Sequence, residues 1–104
     1  MTILELTERI KKIADNIYGR NNIYSEISSI IPEIQKHYLD FITLIPQLNN
    51  IGMDISETGV VSQLNNLLTA IDTKDRLKLF DILFYEIIDT LLFYNEINEV
   101  INGR

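Results

Sequence analysis

The stretch from Lys74 to Ile101 constrains this chain most, because it reads as one long helix that is apolar on more than one side. A helix that serves a single core needs a single apolar stripe. Stepping about 100° per residue, Leu77, Phe80, Phe84, Ile88, Leu91 and Leu92 gather on one side, widened by Leu83 and Ile87. Leu79, Ile82 and Phe93 fall on the far side and, with Ile97, form a candidate interface for another helix or a second chain. The competing expectation is that the long second helix covers most of this patch within the monomer. Each large apolar side chain left in water forgoes roughly 1.5–3 kcal/mol, so several together seldom stay uncovered.

Asp81 projects among Leu77, Phe84, Ile88 and Leu92 in this projection, which makes it, with Tyr85, a candidate buried polar group. A carboxylate there is costly unless hydrogen-bonded or paired. Arg76, Lys74, a tyrosine hydroxyl or free N–H groups of another helix are the available partners. The structural role is favoured over an acid with a raised pKa in a pocket.

The rest of the chain carries helical periodicity. A first helix is expected over about Ile3 to Tyr18, with Thr2 and Glu5 at capping-box spacing and Gly19 as its left-handed stop. Arg20, Asn21 and Asn22 then form a turn. In a second helix, over about 23–48, Ile23, Ile27, Ile30, Ile34, Tyr38 and Phe41 lead one seam that continues to Leu48. Pro32 lies inside it. An interior proline costs about 3 kcal/mol, so the helix either bends there or breaks, with Ser28 or Ser29 capping a new start. The seam keeps its phase through the proline, which favours one kinked helix. A loop follows over 49–56 with Gly52 as breaker. A third helix is expected from Glu57 or Val60 to Ile71, burying Val60, Leu64, Leu67, Leu68 and Ile71. Asp72 or Thr73 would cap the last helix. The expected fold is all-α: an antiparallel up-down bundle of four helices, five if Pro32 breaks the second, in a single domain over residues 1–104.

Composition narrows the functional classes. The formal net charge is −6, which disfavours phosphate backbones and anionic membrane surfaces. There is no cysteine, so neither disulfides nor thiolate chemistry is available. No secretory signal or membrane-spanning run is visible, and a cytoplasmic location is expected. Abundant isoleucine and asparagine fit the codon usage of a low-GC bacterium.

No constellation points to catalysis, and a non-enzyme is expected, with no catalytic, cofactor-binding or metal-binding residues. His37 is the only histidine, and Glu33 is its only nearby companion; two ligands do not make a metal site. Glu86 with Asp89, and Glu96 with Glu99, lack the histidines of a di-iron bundle. The glycines are isolated, so no phosphate loop is present. The tyrosines at 18, 24, 38, 85 and 94 read as helix-edge residues with wetted hydroxyls.

Leu67 to Ile87, LLTAIDTKDRLKLFDILFYEI, resembles the helical hairpin of a small uncharacterised family of bacterial domains of unknown function. The matching positions are Ala70, Asp75, Asp81, Leu83, Tyr85 and Glu86, within a stretch that is about a fifth of the chain. Some members resemble accessory proteins of bacterial motility loci. The resemblance implies an interaction role and transfers no catalytic residue. The expected function is therefore a small adaptor, chaperone or regulatory partner that binds another protein or a second copy of itself, with no nucleic acid, membrane or cofactor. The alternatives are an immunity-like or antitoxin-like protein masking a basic partner and a bundle that binds a small ligand.

Overall fold

The computed structural model describes residues 1–19 and 22–102. Helices α1 (Ile3–Asp15), α2 (Ile23–Asn50) and α3 (Glu57–Asp72) are followed by a last rod, in which α4 (Arg76–Asp81) runs through a π-helical turn (Ile82–Ile87) into α5 (Ile88–Asn102). Strands are absent among the described residues, so the expected all-α bundle of four helical rods is the fold observed.

The capping box forms as expected. The Thr2 hydroxyl accepts the Glu5 N–H at 3.1 Å, and the Glu5 carboxylate accepts the Thr2 N–H at 2.9 Å. The far end of α1 differs from expectation. It stops at Asp15, and i→i+3 bonds from Asn16, Ile17 and Gly19 wind the chain into tighter turns without a left-handed glycine. The Asn16 side chain helps by donating to the Lys12 carbonyl at 2.8 Å. Of the turn expected next, Arg20 and Asn21 lie outside the described residues, as does Gly103.

Helix α2 is unbroken over 28 residues. At 1.5 Å per residue it is about 42 Å long, close to the 45 Å long axis of the molecule. Pro32 and Pro46 are both inside it and both exposed. They lie about four turns apart, so the hydrogen bonds they delete fall on one solvent-facing side, where water can serve the freed carbonyls. The opposite face, from Ile23 to Leu48, is buried as the seam predicts.

Two helix ends close in the same way. After α2, Gly52 has φ +105°; its N–H donates to Asn49, and the Met53 N–H reaches back to Leu48. After α3, Lys74 takes the left-handed position with φ 54°; its N–H donates to Ile71, and the Asp75 N–H reaches Ala70. Both are six-to-one closures of the Schellman type. The second corrects the expected start of the last helix. Thr73 belongs to the end of α3, where its hydroxyl bonds the Thr69 carbonyl, and Asp75 caps α4 by accepting the Lys78 N–H at 3.1 Å.

The main correction concerns the last rod. Leu79, Leu83, Ile87 and Leu91 are all buried, while Leu77 is 64% exposed and Phe80 and Phe84 are only half-buried. Three successive steps of four residues overshoot whole turns by roughly 120° in a uniform α-helix. The π turn admits one extra residue and takes up about 100° of that drift. A uniform 100° projection therefore places the stripe on the wrong side. Asp81 and Tyr85, expected among core residues, are both exposed. Their neighbours Phe80 and Phe84 stack at 5.4 Å on the outer surface, with the Tyr85 ring edge-on to both.

The rod packs against every other helix. Helix α1 lies against α2, the π turn and α5, and α3 lies against α2, α4 and the π turn. Arg76 ties the end of α1 to the start of the rod: its guanidinium donates to the Ile17 carbonyl at 3.1 Å and lies 5.7 Å from the Tyr24 ring centroid. Further along, Phe41 of α2 stacks on Tyr94 of α5 at 4.9 Å. In α3, Val60, Leu67 and Ala70 are buried, Leu64 and Ile71 are half-buried, and Leu68, expected inside, is exposed.

Candidate functional site

The residues singled out as an interface separate in the structure. Leu79, Ile82 and Ile97 are buried within the monomer, and only Phe93 is exposed, at 41%. Leu79 and Ile82 belong to the core face that the π turn creates. Phe93 and Ile97 belong to a different feature, a groove at one end of the bundle.

This groove has a volume of about 270 Å³ and lies between the end of α2, the loop after it and the last turns of α5. Its walls are Leu48, Ile51, Met53, Phe93, Val100 and Ile101, with Ile97 in its lining and Glu96 as the one charged residue there among the described residues. Ile51 is 78% exposed and Val100 60%. The loop is held rather than loose. Gly52 turns it, Met53 is tied back to Leu48, and the Asn49 side chain both accepts the Ile55 N–H at 2.9 Å and donates to the Ile55 carbonyl at 3.0 Å. The Phe93 ring meets the buried Phe41 edge-on at 6.1 Å. The groove is thus a largely apolar surface whose α2-side wall is fixed by these contacts.

Its electrostatic setting is a signal that apolar periodicity does not register. The sequence has no lysine or arginine over residues 37–73 or 79–103. Those spans contain Asp40, Asp54, Glu57, Asp89, Glu96 and Glu99, among other acids. Asp54 and Glu99 are exposed and adjoin the groove residues Met53 and Val100. Neither α2 nor α5 has a basic residue in its last turn, so the partial negative charge of both helix ends has no cation from its own helix. Charge is therefore segregated along the molecule, with its cations around α1, Lys36 and the Lys74–Lys78 corner. Arg104 lies outside the described residues.

A wider, open depression of about 650 Å³ lies at the start of α1, lined by Met1, Leu4, Glu5, Glu8, Arg9 and Glu26, among others. Its polar groups are largely engaged locally. Hydrogen bonds from the Thr2 backbone and hydroxyl hold the Glu5 carboxyl below its usual range. Glu8 pairs with Lys11 at 3.5 Å. No common point draws these groups together.

The most buried polar side chain is Tyr38, which the sequence places in the α2 seam but with a wetted hydroxyl at the helix edge. It is 0% exposed, and its hydroxyl donates to Gln63 Oε1 at 2.8 Å; the Thr90 hydroxyl donates to the same oxygen at 2.7 Å. Burial pushes the Tyr38 hydroxyl far above the ordinary tyrosine range, opposed by its interaction with Thr90 and reinforced by the charge of Glu86. A phenol so hard to ionise is a structural tie and not an acid–base group. Tyr94 is also buried, Tyr24 is half-buried, and Tyr18 and Tyr85 are exposed. His37 is half-buried, donating from Nε2 to the Met1 carbonyl at 3.1 Å, with Glu33 at 3.9 Å. Among the described residues, no three or more His, Asp and Glu side chains gather where they could hold a metal. Among the described residues, no helix is long and apolar enough to cross a membrane.

Comparison with family models, with curated proteins and with solved structures gives no match to this chain.

Proposed function

We propose that this chain is a non-enzymatic protein-interaction module, an adaptor, chaperone or regulatory partner, that binds through the groove between α2 and α5. The observation that carries this reading is the exposed apolar set Ile51, Phe93, Val100 and Ile101, with Ile51 on a loop that the Asn49 and Gly52 contacts hold and the other three on α5. Preformed apolar surface limits the ordering cost of binding. The groove volume falls below the roughly 300–1,000 Å³ of small-molecule sites, which favours side chains of a protein over a free ligand. Immunity-like masking of a basic partner is the second reading, favoured by the lack of lysine and arginine over residues 37–73 and 79–103.

Photo-crosslinking in the producing cells tests the module directly. A photoreactive residue at Ile51 or Val100 is expected to yield a discrete protein adduct, while one at the distant, exposed Ser25 yields none. Adducts from Ser25 alone, or from no position, would contradict the reading.

A further inference from the structure

We infer that the groove takes the apolar face of a basic amphipathic helix from a different protein. This deepens the docking reading above and rests on it. The apolar wall from Phe93 through Ile97 to Val100 covers about two helical turns. A partner helix presenting large side chains at i, i+3, i+4 and i+7 spans a similar length. The rim then chooses the charge. Glu96 lines the groove and Asp54 and Glu99 flank it, two helices end beside it with no basic residue in their last turns, and neither 37–73 nor 79–103 contributes a lysine or arginine. Lysine and arginine on the partner's polar face would meet these carboxylates and helix ends at the partly exposed edge, where charge sets specificity and encounter rate. A second copy of this chain is the wrong occupant. It would bring another Asp54, Glu96 and Glu99 against the first set, on a molecule of net charge −6. An anionic bilayer is repelled for the same reason.

The test is a titration of the full, isotope-labelled chain with four synthetic helical peptides followed by amide chemical shifts. Three share one leucine face at i, i+3, i+4 and i+7 and differ in a polar face of lysine and arginine, of glutamine, or of glutamate. The fourth keeps the basic composition but scrambles the spacing. The basic peptide is expected to bind and to shift the amides of Ile51, Phe93, Ile97 and Val100. Its affinity should fall roughly tenfold or more as salt rises from about 50 to about 500 mM, as screened charges require. The glutamate and scrambled peptides should each bind at least roughly tenfold more weakly. The double substitution Glu96→Gln with Glu99→Gln should weaken the basic peptide several-fold and leave the glutamine peptide unchanged. Equal binding of all three leucine-faced peptides at the groove would overturn the charge assignment and leave the docking reading standing. Equal binding of the scrambled peptide would overturn the helical occupant. Shifts only outside the groove, or none with any peptide, would remove both.

Discussion

The hydroxyl of Tyr38 on α2 donates to the side-chain oxygen of Gln63 on α3 at 2.8 Å, at a point where no part of Tyr38 reaches water. Thr90 of α5 donates to that same oxygen, so one glutamine joins three helices. Such a bond adds only about 1 kcal/mol net, but leaving a buried partner unmatched costs about 1–3 kcal/mol. Gln63→Leu should therefore destabilise the fold by about 2–3 kcal/mol, and Tyr38→Phe by about half that, as read from denaturant unfolding. Equal, negligible effects would mean that water serves these groups.

The same burial gives a pH signature. Below the unfolded tyrosine value of 10.0 both states keep the proton, and the Tyr38 contribution is complete. Above it the unfolded chain releases the proton while folded Tyr38, with its raised pKa, holds it. Stability should then fall by about 1.4 kcal/mol per pH unit from this group alone. The difference between the unfolding free energies of the parent protein and Tyr38→Phe should be flat below pH 10 and shrink above it. A difference that stays constant above pH 10 would contradict the buried, protonated phenol.

The register of the last rod is tested by neighbouring leucines. Leu79→Ala should cost about 2–5 kcal/mol as a core truncation, whereas Leu77→Ala and Asp81→Ala should each stay within about 0.5 kcal/mol. The reverse ranking is what an uninterrupted α-helix would give, and it would remove the π turn from the account.

Lys74 occupies left-handed backbone that favours glycine. Lys74→Gly should raise stability by about 0.5–1 kcal/mol, even though the Lys74 ammonium, 5.9 Å from the Tyr24 ring centroid, is lost; Arg76 remains over that ring. Gly52→Ala should do the opposite, although open space surrounds that position, because the penalty lies in its φ of +105°. Thermal unfolding of both variants gives the signs, and a destabilised Lys74→Gly would assign more weight to the aromatic contact than to the backbone.

Local chemistry was legible in the sequence, and phase and tertiary contact were less so. Thr2 with Glu5, and the α2 seam from Ile23 to Leu48, depend on neighbours a few residues away, and both hold in the structure. Asp81 and Leu77 were misplaced because a uniform projection cannot anticipate a π turn. The Tyr38 ring was legible in the α2 seam, but its hydroxyl was read as wetted because its partners, Gln63 and Thr90, come from helices distant in sequence. Phe93 was read as a surface residue of the last helix and is exposed, and Val100 shares that helix seven residues on, but Ile51 joins them only through the Asn49 and Gly52 turn geometry. The missing lysines and arginines were present to be read all along, since they are a property of the chain and not of its folding.

A groove reserved for a basic partner must stand open in the free protein. Light scattering coupled to size exclusion, over a wide dilution series at low salt, tests this most directly. A monomer at every concentration is predicted, because facing carboxylates keep two grooves apart. A dimer that persists on dilution and dissociates on Val100→Asp, with the helical fold intact, would show instead that a second copy fills the groove and would contradict the account.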